Sequence, residues 1–509
     1  MAKETRFCWP ISWAEHKTIR DGFISNYAAL ARSSNNSSSL DGVALSILSM
    51  EVVQEYLKCW FVSALNKRMQ EVRSNDNSQI ILSDYFFDVN YNHNRLEFLK
   101  SRFKASALRS YVRPLQGVVE SENYSWRWPF LVNFSNDIVA TDKNDLVTNQ
   151  ARQLDKSIAL VSFRYWFGEC CSNQSLRKYS ISKKQTNEFL DLSIAAAALI
   201  DDNLSNNQLK YLANWIEEAT SIVKYYLEYL LKNKHKLPKT LWTGSGGYIF
   251  RRILHVAVKL NKGTSISHDH GSGLGCFNIM DTNLTEFVTP DVFVTFSKSQ
   301  KLGYEKQFDN RFKFCDSWPD IKYIESNSSD TKSNEVKRNK INIKNIIFVS
   351  NQLRGVHIPL TPIEFDHVAI DWQRRLFTKL KKMGFNIIYK EHPDSYAKTP
   401  EYLTENLNIQ TCNQSYEEIM NSGDLIIYDY LHSSTLQKTL KSNLPVIYID
   451  FGHCPLNKDA ERLIKKRIQF VDGWHDEFNR CQVNWDELEE ALVNAPDKIN
   501  ENEFVDSYY

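Results

Sequence analysis

FNIIYKEHPDSY, residues 385–396, opens as a run of apolar, β-favouring side chains and closes on a lysine, an acid, a histidine and a proline. The apolar part shows no alternation with polar residues, as expected of a strand covered on both faces in a parallel sheet. The same form recurs around it, as NIIFVS at 345–350, DLIIYDY at 424–430 and PVIYID at 445–450. Helix-period stretches lie between these runs, from Asp366 to Met383, at SYEEIMNS (415–422) and from Ser433 to Lys441, with one further short strand near 408. Short apolar runs alternating with helical periods predict an α/β architecture with a parallel, doubly wound sheet. Ligands of such a sheet sit outside the carboxyl ends of its strands.

Upstream the same logic returns. KTLWTGS (239–245) reads as a strand, GYIFRRILHVAVKLNKG (247–263) as a helix stopped by glycine, TSISHDHG (264–271) as strand and turn, and PDVFVTFS (290–297) as another strand. Long helical stretches at 40–72, 94–113 and 206–235 precede and interrupt it. Between the halves, ESNSSDTKSNEVKRNK (325–340) is polar, charged and free of aromatic residues, the composition of a linker or loop. We therefore expect a Rossmann-like domain with helical insertions over 1–335 and a second Rossmann-like domain over 336–480. The remainder, 481–509, begins with helix-like NWDELEEALVNAP (484–496) and is expected to cross back to the first domain.

At 509 residues the chain is long enough for two large domains. Lys plus Arg (62) nearly cancels Asp plus Glu (61), so no overall field favours nucleic acid, and none is expected as a partner. Cysteines at 8, 59, 170, 171, 276, 315, 412, 454 and 481 form no CxxC pair, which suits reduced thiols in a cytoplasm. The N-terminus has no long apolar core, and LSIAAAALI (192–200) is too short to span a bilayer, so the expected location is the cytoplasm, with peripheral membrane contact still open. No repeat period points to a solenoid or propeller.

The strand ends carry the chemistry. Pro393 biases His392 toward an extended backbone and displays it beside Lys390 and Glu391. DYLHSSTLQKTL (429–440) ends a strand and opens a helix with Ser433, Ser434 and Thr435, hydroxyls and backbone N–H groups at a positive dipole end. An ordinary serine N-cap would look the same. Arg354, in SNQLRG (350–355), follows the first strand of this domain. In the upstream half, SISHDHGSGLG (265–275) sets His268, Asp269 and His270 at a strand end. Adjacent side chains on a strand face opposite ways, so the stretch is a poor metal site, and no metal ligand set is expected. Gly244, Ser245 and Gly246, in WTGSGG (242–247), sit at a strand-to-helix turn without the lysine of a P-loop, and suit a tight turn beside an acceptor.

A strand ending in K-x-H-P, followed about forty residues later by a strand and an SS/ST helix start, resembles the nucleotide half of GT-B glycosyltransferases that use CMP-activated acidic sugars. These are the bacterial sialyltransferases and the Kdo transferases of capsule and lipopolysaccharide assembly. The resemblance spans roughly 345–450 and implies a GT-B fold with two Rossmann-like domains facing a cleft. It implies that His392 and Pro393 contact CMP, and that Ser433 and Ser434, with Thr435 close by, bind its phosphate. Sialyltransferases carry an acid-acid-Gly motif as general base in the first domain; here the residues are Asp269, His270 and Gly271, with histidine in place of the second acid.

Such an enzyme needs fixed donors for the departing phosphate and an acid/base or nucleophilic group across the cleft. Lys390, His392, the 433–435 helix start and Arg354 suit the first task. Asp269, with His268 and His270, is the expected second component, as base or, in a retaining Kdo-like reaction, as nucleophile. Glu391 reads as a structural or ribose-contacting acid. The expected donor is a CMP-sugar and the acceptor a surface glycan or its lipid-linked precursor, with no metal or other cofactor. Peripheral contact with the inner membrane or with other glycan-assembly enzymes would follow. The rival readings are a CDP-glycerol-type glycerophosphotransferase and a non-catalytic sugar-binding protein on the same scaffold.

Overall fold

The structure, a computed structural model, describes residues 9–35, 40–75, 124–126, 132–134, 137–142, 144–154, 158–167, 179, 181–271, 273–279, 281–324, 342–354, 364–393, 395, 399, 401–404 and 406–509. Two sheets organise them. The first contains β1 (Tyr124–Trp126), β2 (Ile138–Ala140), β3 (Ile158–Leu160), β4 (Thr240–Thr243), β5 (Thr264–His268), β6 (Val292–Thr295) and β7 (Asp320–Tyr323). The second contains β8 (Asn345–Val349), β9 (Asn386–Lys390), β10 (Gln410–Cys412), β11 (Leu425–Tyr428), β12 (Val446–Asp450), β13 (Gln469–His475) and β14 (Cys481–Val483).

Their spatial orders are β1-β3-β2-β4-β5-β6-β7 and β10-β9-β8-β11-β12-β13-β14. All pairings are parallel except the β13–β14 hairpin. Counted from β8, the second sheet has the doubly wound order 3-2-1-4-5-6 with one added antiparallel edge strand. Strand order reverses between β8 and β11, and in the first sheet between β2 and β4. Crevices for ligands open at such reversals. The central strands β8, β11 and β12 are buried almost throughout, which explains their unbroken apolar runs.

Helices cover both sheets, and several begin on side-chain caps. Ser205 opens Asn206–Lys232 through a reciprocal capping box with Gln208. The expected helical stretch 40–72 resolves into Asp41–Ile47 and Ser49–Asn75, and 247–263 into Ile249–Leu260. The stretches 94–113, 85–93 and 325–340 lie outside the described residues. β14 completes the second sheet, so that sheet continues three residues beyond 480 before the helix Trp485–Asn494.

The halves are joined at several points. Trp9 donates its backbone N–H to Phe478 O at 3.0 Å and accepts at its own carbonyl from Asn479 Nδ2 at 2.7 Å, fixing the N-terminal segment to the β13–β14 turn. Phe61 and Trp9 stack near Phe365 at ring separations of 5.3 and 5.7 Å. Near the other end of the chain, the Tyr508 carbonyl accepts from Gln300 Nε2 at 2.7 Å. Phe277 pairs with Leu456 in an isolated antiparallel bridge, and Asn457 Nδ2 donates to Gly275 O at 2.9 Å. Two Rossmann-like domains packed with a crossing tail constitute the GT-B arrangement.

Candidate active site

At the strand reversal of the first sheet, Asp142 follows β2 and Gly244 follows β4. The Asp142 carboxylate accepts from Gly244 N at 3.2 Å and from Thr141 Oγ1 at 2.7 Å, and it is ion-paired with Arg251. Gly244 has no room for a side chain without crowding Asp142 and Asn144 at 3.1 Å. Asn144 Nδ2 donates to both Gly244 O (3.1 Å) and Asp269 O (3.2 Å), tying the two strand ends together.

The next residues of the turn reach a carboxylate that sequence reasoning missed. Glu286, 2% exposed, accepts from Ser245 Oγ at 3.0 Å, from Gly246 N at 2.5 Å and from Ser267 Oγ at 3.5 Å. His270 is half exposed, and its Nδ1 stands 3.7 Å from the same carboxylate. Gly246 is required because a Cβ there would lie 2.3 Å from the Thr285 carbonyl. Its own carbonyl accepts from Arg252 at 3.0 Å, a fully buried arginine held bidentately by Glu51. Ser245 and Gly246 thus anchor Glu286, and His270 links that anchor to the surface.

The other members of the histidine–aspartate triplet point elsewhere. His268 is buried beneath Trp242, with Nδ1 2.9 Å from the Thr243 carbonyl and Nε2 2.6 Å from the Gln150 amide. A carbonyl only accepts, so Nδ1 carries the proton; Nε2 is then satisfied when the Gln150 amide presents its nitrogen. Burial holds this imidazole down at about 4, so it is neutral. Asp269 is 1% exposed and turns toward β6 and the helix Lys298–Lys306. It accepts from Tyr304 Oη, from Thr295 Oγ1 at 3.5 Å and from Gly271 N at 3.1 Å. Gly271 and Gly273 adopt φ of +96° and +62°, the left-handed region that favours glycine.

In the second half, Lys390 ends β9 almost buried, donates to Glu391 O at 2.6 Å, and is held below the ordinary lysine range by burial. Thr399 donates to the Glu391 carboxylate. His392 is half-buried and Pro393 exposed. Ser433 is the N-cap of the helix Ser434–Leu440: its Oγ accepts from Thr435 N at 3.4 Å and lies 2.8 Å from Thr435 Oγ1. Ser434 is exposed. Thr435 also meets Tyr428 Oη at 3.0 Å, so two of the three hydroxyls already have protein partners. The ends of β9 and β11 flank β8, two strand spacings or about 10 Å apart.

His432 is the second residue that sequence reasoning missed. It precedes the serine pair, its Nδ1 lies 2.9 Å from Tyr430 Oη, and its ring stands 6.0 Å from that of Phe277 in the first half. Burial pushes the imidazole down to about 3, and the neighbouring His270 and Arg354 push it the same way. The strand ends after β5, β8 and β11 therefore converge. The signal was present in HSST, where a histidine adjoins the N-cap.

At the β8/β11 reversal, Asp429 accepts from Asn351 Nδ2 at 3.3 Å and from Gln373 Nε2 at 3.5 Å. Burial raises its carboxyl to about 7, with hydrogen bonds opposing. It lines a small cavity with Asn351, Glu364, Tyr430, Phe451 and His453. Asp429 opens the quoted DYLHSST, yet its burial could not be read there.

The described residues thus form two Rossmann-like domains whose strand ends approach one another, with His432 of the second near Phe277 of the first. Residues 97–477 match the profile described as "LIC12162 family transferase", and the chain belongs to that family. No curated protein matches it. Among solved structures it is similar to the glycosyltransferase SnogD from Streptomyces nogalater, at 10% identity and a TM-score of 0.28, covering 72% of this chain and 94% of that one. No helix among the described residues is long and apolar enough to cross a membrane.

Proposed function

We propose that this transferase is a glycosyltransferase moving an acidic ulosonic sugar, Kdo or another nonulosonic acid, from a CMP-activated donor to a bacterial surface-glycan acceptor. The observation that carries the reading is the contrast between the facing strand ends: imidazole and guanidinium groups of His432 and Arg354 on one side, and the buried Glu286 carboxylate with Ser245 and His270 on the other. The Arg354 guanidinium, with the neutral His432 ring beside it, suits a nucleotide phosphate as negative charge grows on it, and a carboxylate suits an acceptor hydroxyl that must lose its proton.

In this reading Lys390, His392 and Pro393 hold the CMP, while Ser433, Ser434, Thr435 and Arg354 hold its phosphate. Glu286 with His270 handles the acceptor proton, and Asp269 positions the turn that presents His270. The strand-end resemblance to CMP-sugar enzymes is what selects CMP. No metal takes part in the transfer step. A lipid-linked acceptor would bring the protein to the inner membrane from the cytoplasmic side.

Calorimetry against CMP, CDP, UDP and GDP tests the nucleotide: CMP should bind most tightly, and His392→Ala should weaken it by about tenfold or more. Preference for CDP would favour the glycerophosphotransferase reading. Failure of every nucleotide to bind, with no donor hydrolysis, would leave only a sugar-binding scaffold.

A further inference from the structure

The β13–β14 hairpin brings two metal-ligand side chains into register: His475 and Cys481 are direct cross-strand partners, with Cys481 Sγ 3.6 Å from His475 Nε2. Glu364, immediately before the helix Asp366–Lys382, points one oxygen at both. Its Oε2 lies 2.6 Å from His475 Nε2 and 3.4 Å from Cys481 Sγ. His453, on the loop after β12, brings Nε2 to 3.1 Å from that same oxygen. It is 4% exposed, yet its Nε2 has no hydrogen-bond partner. A buried ring nitrogen aimed at a carboxylate without making a hydrogen bond is the mark of an incomplete arrangement.

We propose that Glu364, His475 and Cys481, with His453 as the fourth donor, form a binding site for a divalent cation of the zinc class. Tetrahedral zinc, with bonds of about 2.0–2.3 Å, spaces its donors about 3.3–3.8 Å apart. The Sγ–Nε2 and Oε2–Sγ separations of 3.6 and 3.4 Å already fall in that range. The 2.6 Å contact must open by about 0.7 Å, as follows when a cation replaces the shared proton. The thiol proton leaves as the Cys481 thiolate binds, and the His475 proton moves to Nδ1 so that Nε2 can donate its electron pair. One thiolate, one carboxylate and two neutral imidazoles then cancel the charge of the ion in a buried site.

The supports for such a site are in place. Glu364 Oε1 accepts from Phe365 N at 2.9 Å, and the Cys481 carbonyl accepts from Arg375 at 2.6 Å. Phe451 packs near both histidines. A thiolate with two imidazoles selects zinc over magnesium or calcium. Glu364, His453 and Cys481 line the same small cavity as Asp429, and the proposed role of the site is to clamp the hairpin to the start of the helix that follows Glu364. It does not depend on the glycosyl-transfer reading.

The full-length protein, purified without chelators, should carry about one zinc per chain by mass spectrometry. Its cobalt form should show tetrahedral d–d bands with a thiolate-to-cobalt charge-transfer band. Cys481→Ser should abolish that band and weaken zinc, measured against a chromophoric chelator, by about 100-fold. His475→Gln should weaken zinc while leaving a thiolate band. Absence of zinc binding tighter than micromolar in the wild-type chain would overturn the proposal, as would a cobalt spectrum unchanged by Cys481→Ser. The wild-type titration decides the matter even if a variant does not fold.

Discussion

Asp269 and Glu286 both end up buried within reach of the same turn, but their surroundings differ. Asp269 is enclosed by Tyr304, Thr295 and Gly271, whereas Glu286 has His270 between it and solvent. Glu286→Gln should lower kcat by on the order of 10²–10³ with donor affinity within about twofold, as expected for loss of a proton acceptor. Asp269→Asn should lower kcat by about tenfold and retain the shape of the pH profile, because it acts through the turn. The reverse pattern in single-turnover assays would assign the base to Asp269. A composition scan singles out HDH because three polar residues adjoin. It passes over Glu286, in NLTEFVTPD, where only burial between Leu284 and Phe287 sets the acid apart.

At the scale of elements, Gly275 of SGLG is explained by packing against one helix, while Gly273 combines a left-handed φ of +62° with close approach of Tyr509. A Cβ on Gly275 would lie 2.5 Å from the Gln300 carbonyl, and one on Gly303 would lie 1.8 Å from the Gly275 carbonyl. The helix Lys298–Lys306 therefore rests directly on the backbone of the 273–276 turn. Gly303→Ala should cost about 3 kcal/mol or more in urea unfolding, while leaving the m-value unchanged. Strands of the second sheet were legible because their runs are apolar on both faces, and β8, β9, β11 and β12 fall where those runs lie. The short β1, β2 and β3, three residues each, carry too little pattern to stand out, although β2 supplies the first edge of a crevice. The zinc-class donors were hidden for a related reason: 364, 453, 475 and 481 have no spacing that a sequence scan recognises, and only the hairpin register joins them.

At the scale of the whole molecule, six histidines among the described residues, His16, His255, His268, His367, His432 and His453, are held neutral by burial, at about 3 to 4. Each has a folded value below its unfolded 6.5, so its contribution to stability is complete above pH 6.5 and is lost as pH falls toward 4. Asp429 acts in the opposite sense, contributing most at low pH and losing that contribution as pH rises through about 7, but it is a single group. Unfolding near pH 5 should therefore take up about five protons, and Tm measured by calorimetry should fall steeply between pH 6.5 and 5. A Tm flat across that interval would mean these rings are not buried neutral in solution.

The N-terminal segment is fastened to the β13–β14 turn, and the C-terminal tail to Gln300. Neither half has a boundary that can be cut cleanly away from the other. Each owns a piece of surface that its counterpart's sequence covers, the first half contributing Trp9 and the second Tyr508. Two polypeptides ending at 324 and starting at 342, made in the same cell, should consequently find each other and copurify as a stoichiometric pair, whereas each made alone should aggregate. Gene fission between them would be tolerated; exchange of one half for that of a distant relative would not, unless its strap were exchanged with it.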